Sequence, residues 1–87
     1  MAKAWYLYLI ECADGSLYTG IAVDVARRYL MHTAGKGASY TRSHPPKRLA
    51  AIIEYPDHAA ASRAEYLVKQ MTTAGKRDLC RRYPAMS

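Results

Sequence analysis

Apolar side chains fill Trp5 to Cys12 (WYLYLIEC) almost without interruption, the pattern of a largely buried strand. Ala13-Asp14-Gly15-Ser16 breaks that run. Its Asp-Gly pair marks a hairpin, because glycine accepts positive φ. Leu17 to Ile21 returns as a second strand, and Gly20 inside it marks a bulge or a backbone that something approaches closely. Asp24 suits the N-cap of a helix running from Val25 to about Thr33, with Gly35 placed to end it. Gly35 to Lys47 (GKGASYTRSHPPK) is rich in turn residues and reads as a loop. Leu49 to Tyr55 (LAAIIEY) reads as a third strand. Pro56-Asp57 opens a second helix, capped by Asp57 and reaching about Thr72, with Ala60, Ala64, Leu67, Val68 and Met71 as its apolar stripe. Thr73 is placed to cap a short third helix from Ala74 to about Arg82, and Pro84 stops it.

The order is therefore β-β-α-β-α-α, an α+β chain with no internal repeat and no linker. Because a helix joins the second and third strands, the pattern taken alone predicts a small mixed sheet covered by helices. At 87 residues the chain makes one domain, spanning 1–87. No apolar run approaches the ~20 residues of a membrane helix. The N-terminal residues Met1-Ala2-Lys3-Ala4-Trp5 lack the apolar stretch of a signal peptide, so the expected compartment is the cytoplasm. Cys12 and Cys80 form no C-x-x-C and read as two free thiols.

Charge changes the picture. Lys plus Arg number 13 against 7 acids, a formal net charge of +6. Lys36, Arg42, Lys47 and Arg48 crowd one segment, and Lys76, Arg77, Arg81 and Arg82 crowd the tail. Acids are almost absent between Asp24 and Glu54. A basic face of this kind favours a polyanion, nucleic acid first, as partner.

Within that frame three sets of residues carry candidate chemistry. Tyr8 and Tyr18 can share one face of the hairpin, although a chain with 8 tyrosines and no phenylalanine must use most of its phenols for packing. Arg28 and His32 share a helix face; an arginine fork suits a pentacovalent phosphate, and a histidine one turn on can assist proton transfer. A solvated basic face is the plainer reading of Arg28, which stands beside Arg27. Glu65 is a single carboxylate that, with waters, can hold Mg²⁺, or can simply pair with Lys69 one turn later. No zinc-ligand spacing links His32, His44, His58 and the cysteines, and neither a P-loop nor a Gly-x-Ser-x-Gly elbow is present.

Trp5-Tyr6-Leu7-Tyr8, Ala13 to Ile21 (ADGSLYTGI), Asp24 to Arg28 (DVARR), Gly35 to Arg42 (GKGASYTR), and Arg63-Ala64-Glu65 with Lys69 come in an order and spacing that resembles the GIY-YIG endonuclease superfamily. Within it the chain is similar to the small stand-alone bacterial YhbQ-like members. The resemblance implies a three-stranded antiparallel sheet flanked by helices. It also implies divalent-metal-dependent hydrolysis of phosphodiester bonds in DNA, with Mg²⁺ or Mn²⁺ as cofactor. Tyr8 matches the tyrosine of the first triplet, and Tyr18 and Gly20 belong to the second. Arg28 matches the catalytic arginine, His32 the position one turn on, and Glu65 the metal-binding glutamate. Tyr18 would help activate water and Arg28 would stabilise the phosphate charge. Lys36, Tyr40, Thr41, Arg42, Lys47, Arg48 and Lys69 would hold the nucleic-acid backbone. The first triplet lacks its Gly and Ile, His32 stands where other relatives have tyrosine, and the chain contains no asparagine. A nucleic-acid-binding module with little or no catalysis is the competing expectation.

Overall fold

The computed structural model describes residues 3–85. Seven elements follow in order: β1 (Trp5–Cys12), β2 (Leu17–Ala22), α1 (Val25–Thr33), α2 (Ser39–Ser43), β3 (Pro46–Tyr55), α3 (His58–Lys69) and α4 (Thr73–Arg82). Gly15, with φ 87°, turns the β1–β2 hairpin, and Asp14 braces the turn by accepting from the Ser16 amide at 3.0 Å. Three side-chain caps start the long helices. Asp24 accepts from the Arg27 amide (3.0 Å), Asp57 from the Ala60 amide (2.8 Å) and Thr72 from the Gly75 amide (3.1 Å).

The sheet has strand order β2-β1-β3, and every pairing is antiparallel. This corrects the mixed sheet expected from the element order. The α1 crossover does leave β3 running parallel to β2, but β1 lies between them, so no parallel pair forms. Alternation along β1 divides the core in two. Tyr6, Tyr8, Ile10 and Cys12 pack with Val25 and Tyr29 of α1 on one face. Leu7 and Leu9 pack with Ala64 and Val68 of α3 and Leu79 and Cys80 of α4 on the other. Leu7, Leu9 and Ile10 are wholly buried, each contributing about 1.5–3 kcal/mol of transfer free energy. Both cysteines are free, and they lie on opposite faces of the sheet.

Several boundaries differ from the sequence reading, β2 among them, which ends at Ala22 and not Ile21. The segment read as a loop contains the short helix α2. Strand β3 begins at Pro46 instead of Leu49, with Pro46 facing Cys12 at the sheet edge, where a missing N–H is tolerated. Helix α3 stops at Lys69, because Thr72 adopts extended backbone (ψ 164°) to cap α4. The cap of α4 is therefore Thr72, and Thr73 is its first residue. A register shift between Leu9 and Ile10 leaves Ala50 as the extra residue of a bulge in β3.

Candidate active site

In the β1–β2 register Tyr8 faces Gly20 and Ile10 faces Tyr18, so both tyrosines lie on the face that α1 covers. The missing side chain at Gly20 is what seats Tyr8. A Cβ there would stand 2.5 Å from the Tyr8 hydroxyl, so the phenol lies across the β2 backbone. Tyr8 is 1% exposed.

Helix α1 brings Arg28 and His32 to the same place, one turn apart. His32 is 1% exposed, and its Nε2 is 2.9 Å from the Tyr8 hydroxyl. On the far side of the ring Nδ1 is 2.7 Å from the Thr41 hydroxyl, and that hydroxyl donates to the Ala38 carbonyl at 3.0 Å. A Cβ at Gly37 would overlap His32 Nδ1, so the loop backbone rests directly on the imidazole. Burial and then the nearby Tyr18 phenol push the Tyr8 pKa up to about 12, with Glu65 adding to the rise and Arg28 opposing it. Burial, and secondarily the Arg28 guanidinium, lowers the His32 pKa from its ordinary value. At neutral pH the pair is thus a phenol and an uncharged imidazole.

Aromatic rings continue outward from this pair. Tyr18 lies 5.1 Å from the His32 ring and stacks on Tyr40 at 5.8 Å; Tyr40 stacks on His44 at 4.1 Å. His44 Nδ1 is 2.7 Å from Asp14 Oδ2, tying the row to the hairpin turn. The Ser16 hydroxyl and amide, with His44, hold the Asp14 carboxyl well below the usual carboxylate range.

Glu65 comes from α3, which packs on β2 and β1 from the other face, and its charge contributes to the field at the Tyr8 hydroxyl. Its carboxylate is 3.3 Å from Lys69 Nζ. No group of three or more His, Cys, Asp or Glu side chains is placed to hold a metal among the described residues. A single half-buried carboxylate fits Mg²⁺ or Mn²⁺ that keeps most of its waters and takes further ligands from a substrate phosphate, and does not fit a cage built wholly from protein.

Tyr8, Tyr18, Arg28 and His32 are thus brought together, with Glu65 within electrostatic reach. The expected nucleic-acid residues divide. Lys36, Arg42 and Lys47 are exposed and form no ion pair among the described residues, and Tyr40 is 38% exposed. Lys69 is the Glu65 partner. Two of the expected residues are placed differently from the others. Thr41 is 2% exposed with its hydroxyl turned inward to His32, so that side chain has no surface to offer a phosphate. Arg48 pairs in register with Glu11, on the face opposite Tyr8, and its Nε is 2.6 Å from that carboxylate, with Arg77 3.5 Å from the other oxygen. It is part of a structural clamp between β1, β3 and α4. Gly37 and the Ala38 carbonyl receive no role from the sequence, although both lie in the Gly35-to-Arg42 block that carries the resemblance. The Gly35-Lys36-Gly37 spacing is the one local signal, and it is too short for a P-loop.

The family model described as the GIY-YIG catalytic domain matches residues 4–78. A UPF0213 protein of Cupriavidus pinatubonensis is 50% identical over 78 residues, covering 90% of this chain and 87% of its own. The UPF0213 protein YhbQ of Salmonella arizonae is 49% identical over 75 residues, covering 86% of this chain and 75% of its own. Among solved structures, the solution NMR structure of the UPF0213 protein BH0048 from Bacillus halodurans is similar with a TM-score of 0.57 and 45% identity, over 90% of this chain and 83% of that one.

Proposed function

Because the chain belongs to the GIY-YIG catalytic-domain family, a family of nucleases, we propose that it hydrolyses phosphodiester bonds in DNA with the help of a divalent metal ion. The observation that carries this reading is the buried Tyr8–His32 hydrogen bond, with Tyr18 and Arg28 gathered beside it. A phenol near pKa 12 is a poor base unaided, but an uncharged imidazole behind it makes the pair a proton acceptor. A water held by the Tyr18 phenol would give its proton to the Tyr8 oxygen while the Tyr8 proton passes to His32 Nε2. The water oxygen then bonds to phosphorus, and the P–O bond to the leaving strand breaks. The Arg28 guanidinium offers donors for the charge that builds on the phosphoryl oxygens. Mg²⁺ or Mn²⁺, held by Glu65 with waters and the substrate, would neutralise the leaving oxygen. Lys36, Arg42, Lys47 and the exposed Tyr40 edge would take the strand on either side.

The test is a nicking assay on supercoiled, branched and single-stranded DNA with Mg²⁺, Mn²⁺ or EDTA. Cutting should require metal and should fall by at least about 100-fold in Arg28→Ala and in Glu65→Ala. Protonation disables His32 as an acceptor, so the acid limb of the rate should lie below the ordinary histidine pKa of about 6.5. Retarded but uncut DNA in every lane would replace the nuclease by a binding module. Undiminished cutting by Glu65→Ala would remove the metal assignment.

A further inference from the structure

Three hydrogen bonds run in series from Tyr8 through His32 and Thr41 to Ala38, at 2.9, 2.7 and 3.0 Å. The group at the far end fixes their direction. It is a backbone carbonyl, which only accepts, so the single Thr41 hydroxyl proton is spent on it. The Thr41 oxygen must then accept, and the proton between it and His32 belongs to Nδ1. An uncharged ring protonated at Nδ1 is bare at Nε2, so the Tyr8 phenol donates to Nε2.

We propose that the segment from Gly37 to Thr41 is a positioning device that holds the His32 proton on Nδ1, with Thr41 as its positioning residue, so that Nε2 stays free to receive the proton of Tyr8. Gly37 contributes by absence, since any side chain there would displace the imidazole. Helix α2 contributes geometry. Thr41 lies at its centre, and the Ala38 carbonyl that takes the Thr41 proton lies at its start. The short helix formed inside an apparent loop thus has a task. It delivers one hydroxyl to one ring nitrogen with its own proton already committed. Without that acceptor, Nδ1–H would be buried and unpaired, and the ring would gain by moving the proton to Nε2. Nε2–H would then donate to the Tyr8 oxygen, and the acceptor for the phenol proton would be gone. The catalytic meaning of this arrangement rests on the nuclease reading, but the tautomer itself does not.

The experiment is long-range ¹⁵N–¹H NMR of the imidazoles in the full chain, for the wild type, Thr41→Val and Thr41→Ser. Cleavage is measured in parallel. The wild type should show His32 protonated at Nδ1 and bare at Nε2. Thr41→Val, nearly isosteric, should move the proton to Nε2 and lower kcat by at least about tenfold with little change in KM, as expected for a lost histidine-orienting partner. Thr41→Ser should restore both. A wild-type His32 protonated at Nε2 overturns the proposal, whatever the variants do. An unchanged tautomer in folded Thr41→Val overturns it as well. A wild type with the Nδ1 tautomer that cuts no DNA under any condition leaves the positioning intact and sinks the nuclease reading alone.

Discussion

At the scale of single residues, what matters is where each polar atom finds its partner. Tyr8, His32 and Thr41 are among the most buried side chains, and all three are satisfied by one another. Thr19 is the exception. It is 2% exposed on the α3 side of β2, and its hydroxyl has no partner among the described residues. Replacing it with valine keeps the shape and removes the unpaired group. Thr19→Val should therefore raise the unfolding free energy by about 1 kcal/mol, read as a higher urea midpoint at unchanged slope. A fall in the midpoint would show that the hydroxyl is satisfied in solution. The residue scale is also where the sequence was least transparent. Tyr8, Tyr18, Arg28 and His32 were recognisable from type and spacing. The inward turn of Thr41 was not, because it depends on a histidine nine positions earlier that only the fold brings near.

Elements were legible where their signals are local. The Asp14-Gly15 turn, the Asp24 and Asp57 caps and the near-continuous apolar run of β1 act over a few residues, and each formed as read. Helix α2 was hidden for the opposite reason. It has five residues and no side-chain cap, too short to hold by propensity, so its contacts with α1 sustain it. The start of β3 was hidden because proline signals a turn, whereas an edge strand tolerates it. Helix α1 carries both Arg28 and His32, so its stability and the site are linked. Asp24→Ala removes the acceptor for the Arg27 amide and should cost about 1 kcal/mol by denaturant unfolding. The same change should broaden the His32 imidazole resonances, because the helix sets the ring against Tyr8. Unchanged stability would mean that tertiary contacts alone start the helix.

For the molecule as a whole, the net charge of +6 was plain, but its placement was not. Sequence crowding joined Arg48 to Lys36, Arg42 and Lys47. The strand alternation sends Arg48 to the opposite face, where Glu11 engages it. The two placements give different salt dependence. Neutralising Lys36, Arg42 and Lys47 together, each to Gln, should lower the slope of log affinity for DNA against log salt by roughly two to three. Arg48→Gln should leave that slope unchanged and cost stability instead. An equal loss of slope in Arg48→Gln would return that residue to the binding face. The outer edge of β3 has a further consequence. There the chain folds back on itself, with the Ile52 amide donating to the Tyr83 carbonyl at 3.3 Å and the Ala85 amide to the Ala50 carbonyl at 3.2 Å. Pro84, facing Ala51, has no amide hydrogen with which to extend the ladder. An exposed strand edge is a template for pairing between copies, and here the chain's own backbone occupies the middle of one edge. A second copy can pair with Ala50 to Ile52 only by displacing this tail, so a small, basic, tyrosine-rich protein carries its own guard against strand-to-strand aggregation there.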